Sequence, residues 1–436
     1  MHRVEEISNS IKNQTQIGDQ AVHSWYQFVL GYPPHLVRRY ISKFGIRRGH
    51  LVLDPFCGTG TTNVECKKHH IESLGLEANP VACFASTVKT NWHVSPVEAR
   101  IELQSVIAHA MNSFERFGLS EALPLFSKFR NGKMLNVEPR LTDEQNDVLP
   151  KDFISPRPLR RVLILKQCID AVEKEEIRNL FLLGLANLSV NHASNVAFGP
   201  EIYVTKSQKD VFVLNTFHSL VERMIFDLES LPTLYSPAEI IQGDARRVAD
   251  FFPSRLGAVN FVITSPPYPN EKDYTRNTRL ETVILGLISS KQQLRLVKEQ
   301  LLRSNSRNIF VNDDDQDYVK HFDSVSKIAE AIEQKRLHLN KTSGFEKLYH
   351  KIVRHYFGGM YRHLASLKSL LAPNARLAYV VGDQMSFFRI QIPTAMILGE
   401  IAEELGYQIE KIELWRTRLA TATRKQIDEN VLILRN

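Results

Sequence analysis

The stretch from Leu51 to Pro80 constrains the fold most. Leu51-Val52-Leu53 is a short apolar run that reads as a buried strand. It passes into Asp54-Pro55-Phe56-Cys57-Gly58-Thr59-Gly60-Thr61-Thr62, followed by a helix-compatible segment from Asn63 to His70. A second apolar run, Ser73-Leu74-Gly75-Leu76, ends in Glu77-Ala78-Asn79-Pro80. Strand, Gly-x-Gly turn, helix, strand, acid is the opening of a doubly wound nucleotide-binding sheet, so an α/β chain is expected. Gly58 and Gly60 can take positive φ and let the backbone approach a ligand closely. Glu77 stands about 19 residues beyond Gly58, where an acid can hold ribose hydroxyls.

The kind of nucleotide follows from what is missing. Asn63 occupies the place of a third glycine, and no Gly-x-x-x-x-Gly-Lys-Ser/Thr occurs, which argues against dinucleotide and P-loop sites. Asp54 at the head of the turn would repel a pyrophosphate but welcome an ammonium. Acids at Asp54 and Glu77 together suit S-adenosylmethionine. A third acidic turn, Gly243-Asp244-Ala245, follows Ile240-Ile241. Asp244 could accept from the adenine amine of the same cofactor or simply cap a helix.

Further on, the apolar run Val259 to Ile263 leads into Thr264-Ser265-Pro266-Pro267-Tyr268. Proline fixes φ and lacks an N–H, so this loop is stiff and rich in acceptors. A hydroxyl and a carbonyl beside an aromatic face suit a planar ring with an exocyclic amine. The amine can donate to Ser265 and to the Pro266 carbonyl while the ring stacks on Tyr268.

With both loops in view, the chain resembles the S-adenosylmethionine-dependent DNA amino-methyltransferases, which make N4-methylcytosine or N6-methyladenine. Asp54 to Gly60, with Phe56 inside it, resembles the family's cofactor loop, Glu77 its ribose acid and Asp244 its adenine-contacting acid. Ser265-Pro266-Pro267-Tyr268 resembles the catalytic loop. His23-Ser24-Trp25-Tyr26-Gln27-Phe28, then Tyr32-Pro33-Pro34, resembles the segment that closes over the methionine end of the cofactor, which implies Trp25 and Tyr26 as cofactor contacts. Arg376 to Asp383 resembles a later strand; Gly406 to Trp415 and Glu429 to Leu434 resemble a closing hairpin. The resemblance implies a Rossmann-like methyltransferase sheet, direct methyl transfer to a base flipped out of DNA, and a restriction-modification setting with a cognate restriction endonuclease. Ser in the first catalytic position leans towards cytosine N4, with adenine N6 the alternative. RNA or a protein amide as substrate, or a non-catalytic DNA-binding module, are the readings from other classes. Methylation at cytosine C5 would need a Pro-Cys nucleophile, and no Pro-Cys occurs.

The cofactor loop precedes the catalytic loop, and a long stretch separates them. Three regions are expected: residues 1–95, the N-terminal cofactor-binding part; residues 96–235, a mainly helical insertion and candidate target-recognition region; and residues 236–436, the catalytic part, with a candidate DNA-contacting helical segment near 276–350. Asn136 to Arg161 and Asn191 to Thr205 read as loops. A net charge of +7 and a pI of about 9.1 are compatible with a polyanionic partner. Arg276 and Arg279, just past the catalytic loop, are candidates for backbone phosphates, with Arg416 and Arg418 on the hairpin and Asn195 in a groove-facing loop. Asp313-Asp314-Asp315 lacks the glycine and glutamate of a calcium loop and reads as a solvated turn. Four cysteines without Cys-x-x-Cys or Cys/His ligand spacing imply no metal, and the lack of a signal peptide or long apolar span implies a cytoplasmic protein away from membranes.

Overall fold

The computed structural model describes residues 19–27, 31–121, 133–199, 202–270, 272–419 and 426–436. Among the described residues, one sheet of seven strands organises the molecule. We number its strands β1 (Leu51–Asp54), β2 (Glu72–Glu77), β3 (Ala238–Gln242), β4 (Val259–Thr264), β5 (Leu371–Gly382), β6 (Gln408–Leu419) and β7 (Gln426–Arg435). Their order across the sheet is β3-β2-β1-β4-β5-β7-β6. The first five are parallel; β7 runs antiparallel between β5 and β6. This is the expected α/β Rossmann-like sheet with a closing antiparallel hairpin. The strand order reverses between β1 and β4, and a crevice opens there beyond the carboxyl ends, where doubly wound sheets bind ligands.

Period-two alternation sends neighbouring residues to opposite faces. Val52, Phe261, Ile263, Ala378, Val380, Val431 and Ile433 pack under helix α1 (Pro34–Phe44) through Leu36, Val37, Tyr40 and Ile41. Their neighbours Leu51, Leu53, Val262, Leu377, Tyr379, Leu432 and Leu434 face the other way. There they meet the helices Asp323–His338, Tyr349–Lys368 and Thr394–Glu404. Both faces are therefore covered, as a mainly parallel sheet requires.

Between β2 and β3 the chain builds a helical layer of Pro96–Arg116, Pro156–Asp170, Glu175–Asn191 and Leu214–Glu229. Its core joins the sheet domain through Val64, Ala85 and Val88 on the helices Thr61–Lys68 and Pro80–Thr90. Two loop expectations need correction. Within 136–161 lies a helix, Asp143–Val148, closed by a Thr142/Gln145 capping box, and the next helix already begins at Pro156. Thr142-x-x-Gln145 is itself a helix-start signature. Within 191–205, Val196–Phe198 and Ile202–Val204 pair as a small antiparallel hairpin. The acidic turn is also not solvated. Asp315 is fully buried, 2.8 Å from Arg246 and 2.8 Å from Arg362, while Asp313 pairs with Arg303. Asp313 and Asp315 turn inward against arginines, while Asp314 between them stays exposed.

Candidate active site

A cleft of about 280 Å³ lies at the switch point. The turns after β1, β2, β3 and β4 supply Phe56, Gly58, Glu77, Asp244, Ser265, Pro266, Pro267 and Tyr268 to its wall. Tyr32, Trp415, Arg416, Arg418 and Glu429 complete it.

On the first side, carboxylates organise the turns. Glu77 accepts from the Gly58 N–H at 2.8 Å and the Asn79 N–H at 2.8 Å, one on each oxygen. Burial raises its pKa to about 7, opposed by those two amides. Each oxygen keeps a lone pair for a diol. Asp54 is fully buried and stands behind the cleft wall. It accepts from Thr264 Oγ1 at 2.6 Å, the Tyr32 hydroxyl at 2.6 Å and the Phe56 N–H at 3.2 Å. Burial raises its pKa to about 6. Asp54 thus ties the cofactor turn to the residue before Ser265, and reaches the cleft through Tyr32 and Phe56. Asp244 lines the cleft and caps a 3-10 turn through the Arg246 N–H. The Arg246 guanidinium grips the same carboxylate at 2.7 Å and continues to Asp315.

The two glycines serve different needs. Gly58 has φ 52° and a side chain there would meet nothing within 4 Å. Gly60 has φ 83°, and a Cβ would stand 2.5 Å from Ser86 Oγ, so its close approach is to the next helix rather than to a ligand. The Phe56 ring packs edge-on against His363, 4.8 Å away. His363, fully buried, bridges the Ala245 carbonyl at 2.8 Å and the Tyr379 hydroxyl at 2.7 Å.

On the second side, Thr264 pairs with Tyr379 in register, which brings Ser265 to the end of β5. Ser265 Oγ donates to the Val380 carbonyl at 3.0 Å. With its proton committed, the hydroxyl has lone pairs left to accept. The Tyr268 hydroxyl donates to Glu429 at 3.0 Å.

The sequence has counterparts among known proteins. A family model described as a DNA methylase matches residues 4–87. The Type II methyltransferase M.BsoBI of Geobacillus stearothermophilus is 22% identical, over 93% of this chain and 82% of its own. M.AvaI of Nostoc sp. is 22% identical over 94% and 83%, and M.MvaI of Kocuria varians 22% over 92% and 86%. These similarities support the DNA amino-methyltransferase family for this chain. For such a methyltransferase, the turns after β1 to β3 are the side that can hold S-adenosylmethionine, and the donor set fits it: acceptors for a ribose diol, an acid near an adenine, and no phosphate cradle.

Several residues named from the sequence lie elsewhere. Trp25 and Tyr26 are buried in the helical layer, Trp25 donating to Asp227 at 2.7 Å and Tyr26 to Glu281 at 2.5 Å. The later part of the same segment, Tyr32 and Pro33, reaches the cleft instead; Phe28 lies outside the described residues. Arg279 is buried, bound to Thr275 and to the Val148 carbonyl, so it faces no phosphate. Asn195, 2% exposed, clasps Asp152 and Gln208. Arg276 remains partly exposed on the short helix Tyr274–Asn277. Arg418 lines the cleft and donates to the Asp383 carbonyl at 2.9 Å. Arg416 pairs with Glu429. His363 gives no local signal, Arg246 is not singled out although it follows Asp244 by two residues, and Glu429 reads only as the start of a hairpin strand; His363 and Glu429 act on residues that the sheet brings near.

All four cysteines are buried and free. Burial, then Asp54 and Glu77, pushes the Cys57 thiol well above its usual value, which disarms it as a thiolate. No group of three His, Cys, Asp or Glu gathers in metal-binding geometry among the described residues. None of the described helices is long and apolar enough to cross a membrane.

Proposed function

We propose that the protein transfers a methyl group from S-adenosylmethionine to the exocyclic amine of a base flipped out of DNA, with cytosine N4 as the acceptor. The observation that carries this reading is the Ser265 hydroxyl, whose proton goes to the Val380 carbonyl beside the Tyr268 ring.

When bound, S-adenosylmethionine supplies an electrophilic sulfonium methyl. Glu77 holds the ribose and Asp244, kept in place by Arg246, takes the adenine end. Tyr32, anchored on Asp54, walls the far end of the cofactor side. Exocyclic amines are poor nucleophiles because their lone pair is delocalised into the ring. Ser265 Oγ and the Pro266 carbonyl accept the two amine hydrogens and draw the nitrogen towards sp³ character. The lone pair would then face the methyl group, and transfer would be a direct displacement with no covalent enzyme intermediate: the N–CH3 bond forms as the S–CH3 bond breaks, the thioether leaves, and the nitrogen sheds one of its protons to solvent. Orientation and preorganised acceptors supply the acceleration. Tyr268 stacks on the extruded base and offsets part of the flipping cost of a few kcal/mol.

Relatives named Type II methyltransferases over most of their length support a restriction-modification role, with a cognate endonuclease as partner. Mass spectrometry of nucleosides from site-rich DNA, incubated with the protein and S-adenosylmethionine, tests the reading. N4-methylcytosine is expected. N6-methyladenine would keep the mechanism and change the base; an unmethylated digest would move the substrate to RNA or protein.

A further inference from the structure

A row of three residues crosses the hairpin behind the catalytic loop. Gly382 in β5 pairs with Glu429 in β7, and Glu429 pairs with Arg416 in β6. All three bear on Tyr268. A Cβ at Gly382 would stand 3.1 Å from Tyr268 Cε2, so the absent side chain lets the ring settle against the strand. Glu429, 7% exposed, accepts from the Tyr268 hydroxyl at 3.0 Å. Its other oxygen takes the Arg416 Nε–H. Register shifts between Leu414 and Arg416 mark an irregularity of β6 just before this arginine. Bulges of this kind bend a strand and re-aim a side chain beside active sites.

Deepening the methyltransfer reading above, on which it rests, we infer that Gly382, Glu429 and Arg416 form a seat that fixes the plane of the Tyr268 ring, making Glu429 and Arg416 positioning residues for base stacking. A tyrosine on a loop rotates about two bonds. Stacking is worth most when the ring is already parallel to the incoming base, because the ordering is then done before the base arrives. The hydroxyl–carboxylate bond fixes the direction of the ring's long axis, the close approach at Gly382 restricts rotation about that axis, and Arg416 holds the carboxylate pointed at the ring. Arg416 is thereby occupied by the protein instead of by a DNA phosphate.

A double-mutant cycle in the full-length protein tests this, with turnover on site-rich plasmid DNA and S-adenosylmethionine affinity both measured. Tyr268→Phe and Glu429→Gln should each lower kcat about tenfold, and the double variant should be no worse than the weaker single, since both remove one bond. Cofactor affinity should hold throughout. Arg416→Gln should lower kcat while leaving the slope of log affinity for DNA against log salt unchanged. A phosphate contact would instead flatten that slope by about one. Multiplicative losses in the double variant, unaffected single variants, or a flattened slope for Arg416→Gln would each overturn the seat. Tyr268→Phe removes a single oxygen, so with Arg416→Gln it carries the test even where Glu429→Gln fails to fold. Wild-type protein that methylates no DNA would overturn the methyltransfer reading itself, a result separable from all of these.

Discussion

The two walls of the cleft are built in opposite ways. The cofactor wall is largely local: Glu77 reaches back across one helix to the Gly58 amide, and Asp244 holds Arg246 two residues on. The catalytic wall is assembled from distant chain: Ser265 leans on Val380, and Tyr268 on Glu429. Asp54 joins them at the turn itself, accepting from Thr264 on one side and serving the cofactor turn on the other. A short-range wall can be read from spacing, whereas a long-range wall needs the sheet to form first. On the proposed function the chemistry would divide the same way, with recognition of the cofactor on one wall and activation of the base on the other.

The sharpest test of that division is Tyr268→Ala. Losing the stacking face should cut turnover by at least about 100-fold, in line with 1–3 kcal/mol per stacked base plus lost orientation. Cofactor affinity should stay within about twofold, because the residue touches only the catalytic wall. A matched loss of S-adenosylmethionine affinity in calorimetry would mean that the two walls are one unit.

Asp54→Ala attacks the joint itself. It leaves the Thr264 hydroxyl without its acceptor, at a cost of about 1–3 kcal/mol, and the Tyr32 hydroxyl with Thr62 as its remaining partner. Cofactor affinity should fall by about tenfold or more, and turnover should fall further than affinity, since Thr264 precedes Ser265. Unchanged S-adenosylmethionine binding would detach Asp54 from the cofactor wall.

The same contrast explains what could be read in advance. The sheet's opening unit, both loops and the closing hairpin were legible because each is a short run with a physical signature: period-two apolar residues, Gly-x-Gly, Ser-Pro-Pro-aromatic. Glu77 and Asp244 were legible as strand-end acids. Trp25 and Tyr26 fall in the helical core, whereas Tyr32 further along the same segment reaches the cleft; nothing in an aromatic pair says whether it faces a cleft or a helical core, and Asp227 and Glu281 decide it from 202 and 255 residues away. The acidic run at Asp313 to Asp315 failed likewise, because its neutralising partners Arg246 and Arg362 are remote in sequence. Glu429 was visible only as the start of a strand; its role needs the β5-β7-β6 register.

A smaller effect separates the walls by pH. Burial holds Glu77 at a pKa of about 7, above its ordinary 4.5, so it still carries a proton at pH 6. The protonated acid loses acceptor capacity for a ribose diol. S-adenosylmethionine affinity should therefore rise as pH increases from 6 to 8, by up to about tenfold per unit below the pKa. Glu77→Gln should bind more weakly at pH 8 and show a flat profile. A wild-type profile equally flat would remove Glu77 from ribose binding.

The smallest effect on function should come from Asn195, which lies on neither wall. Its side chain donates to the Asp152 carbonyl at 3.0 Å and accepts from the Gln208 N–H at 2.8 Å, while its backbone carbonyl takes the Thr205 hydroxyl at 2.7 Å. Those bonds staple the start of a helix to the small hairpin, far along the chain from either loop. Asn195→Ala would leave the Asp152 carbonyl and the Gln208 N–H, both on exposed residues, without this partner, and should lower stability by about 1 kcal/mol in denaturant melts. DNA affinity and its salt dependence should be unchanged at temperatures where the variant is folded. A weaker, flatter salt dependence would return Asn195 to the DNA surface, and would make the helical layer a third wall of the site.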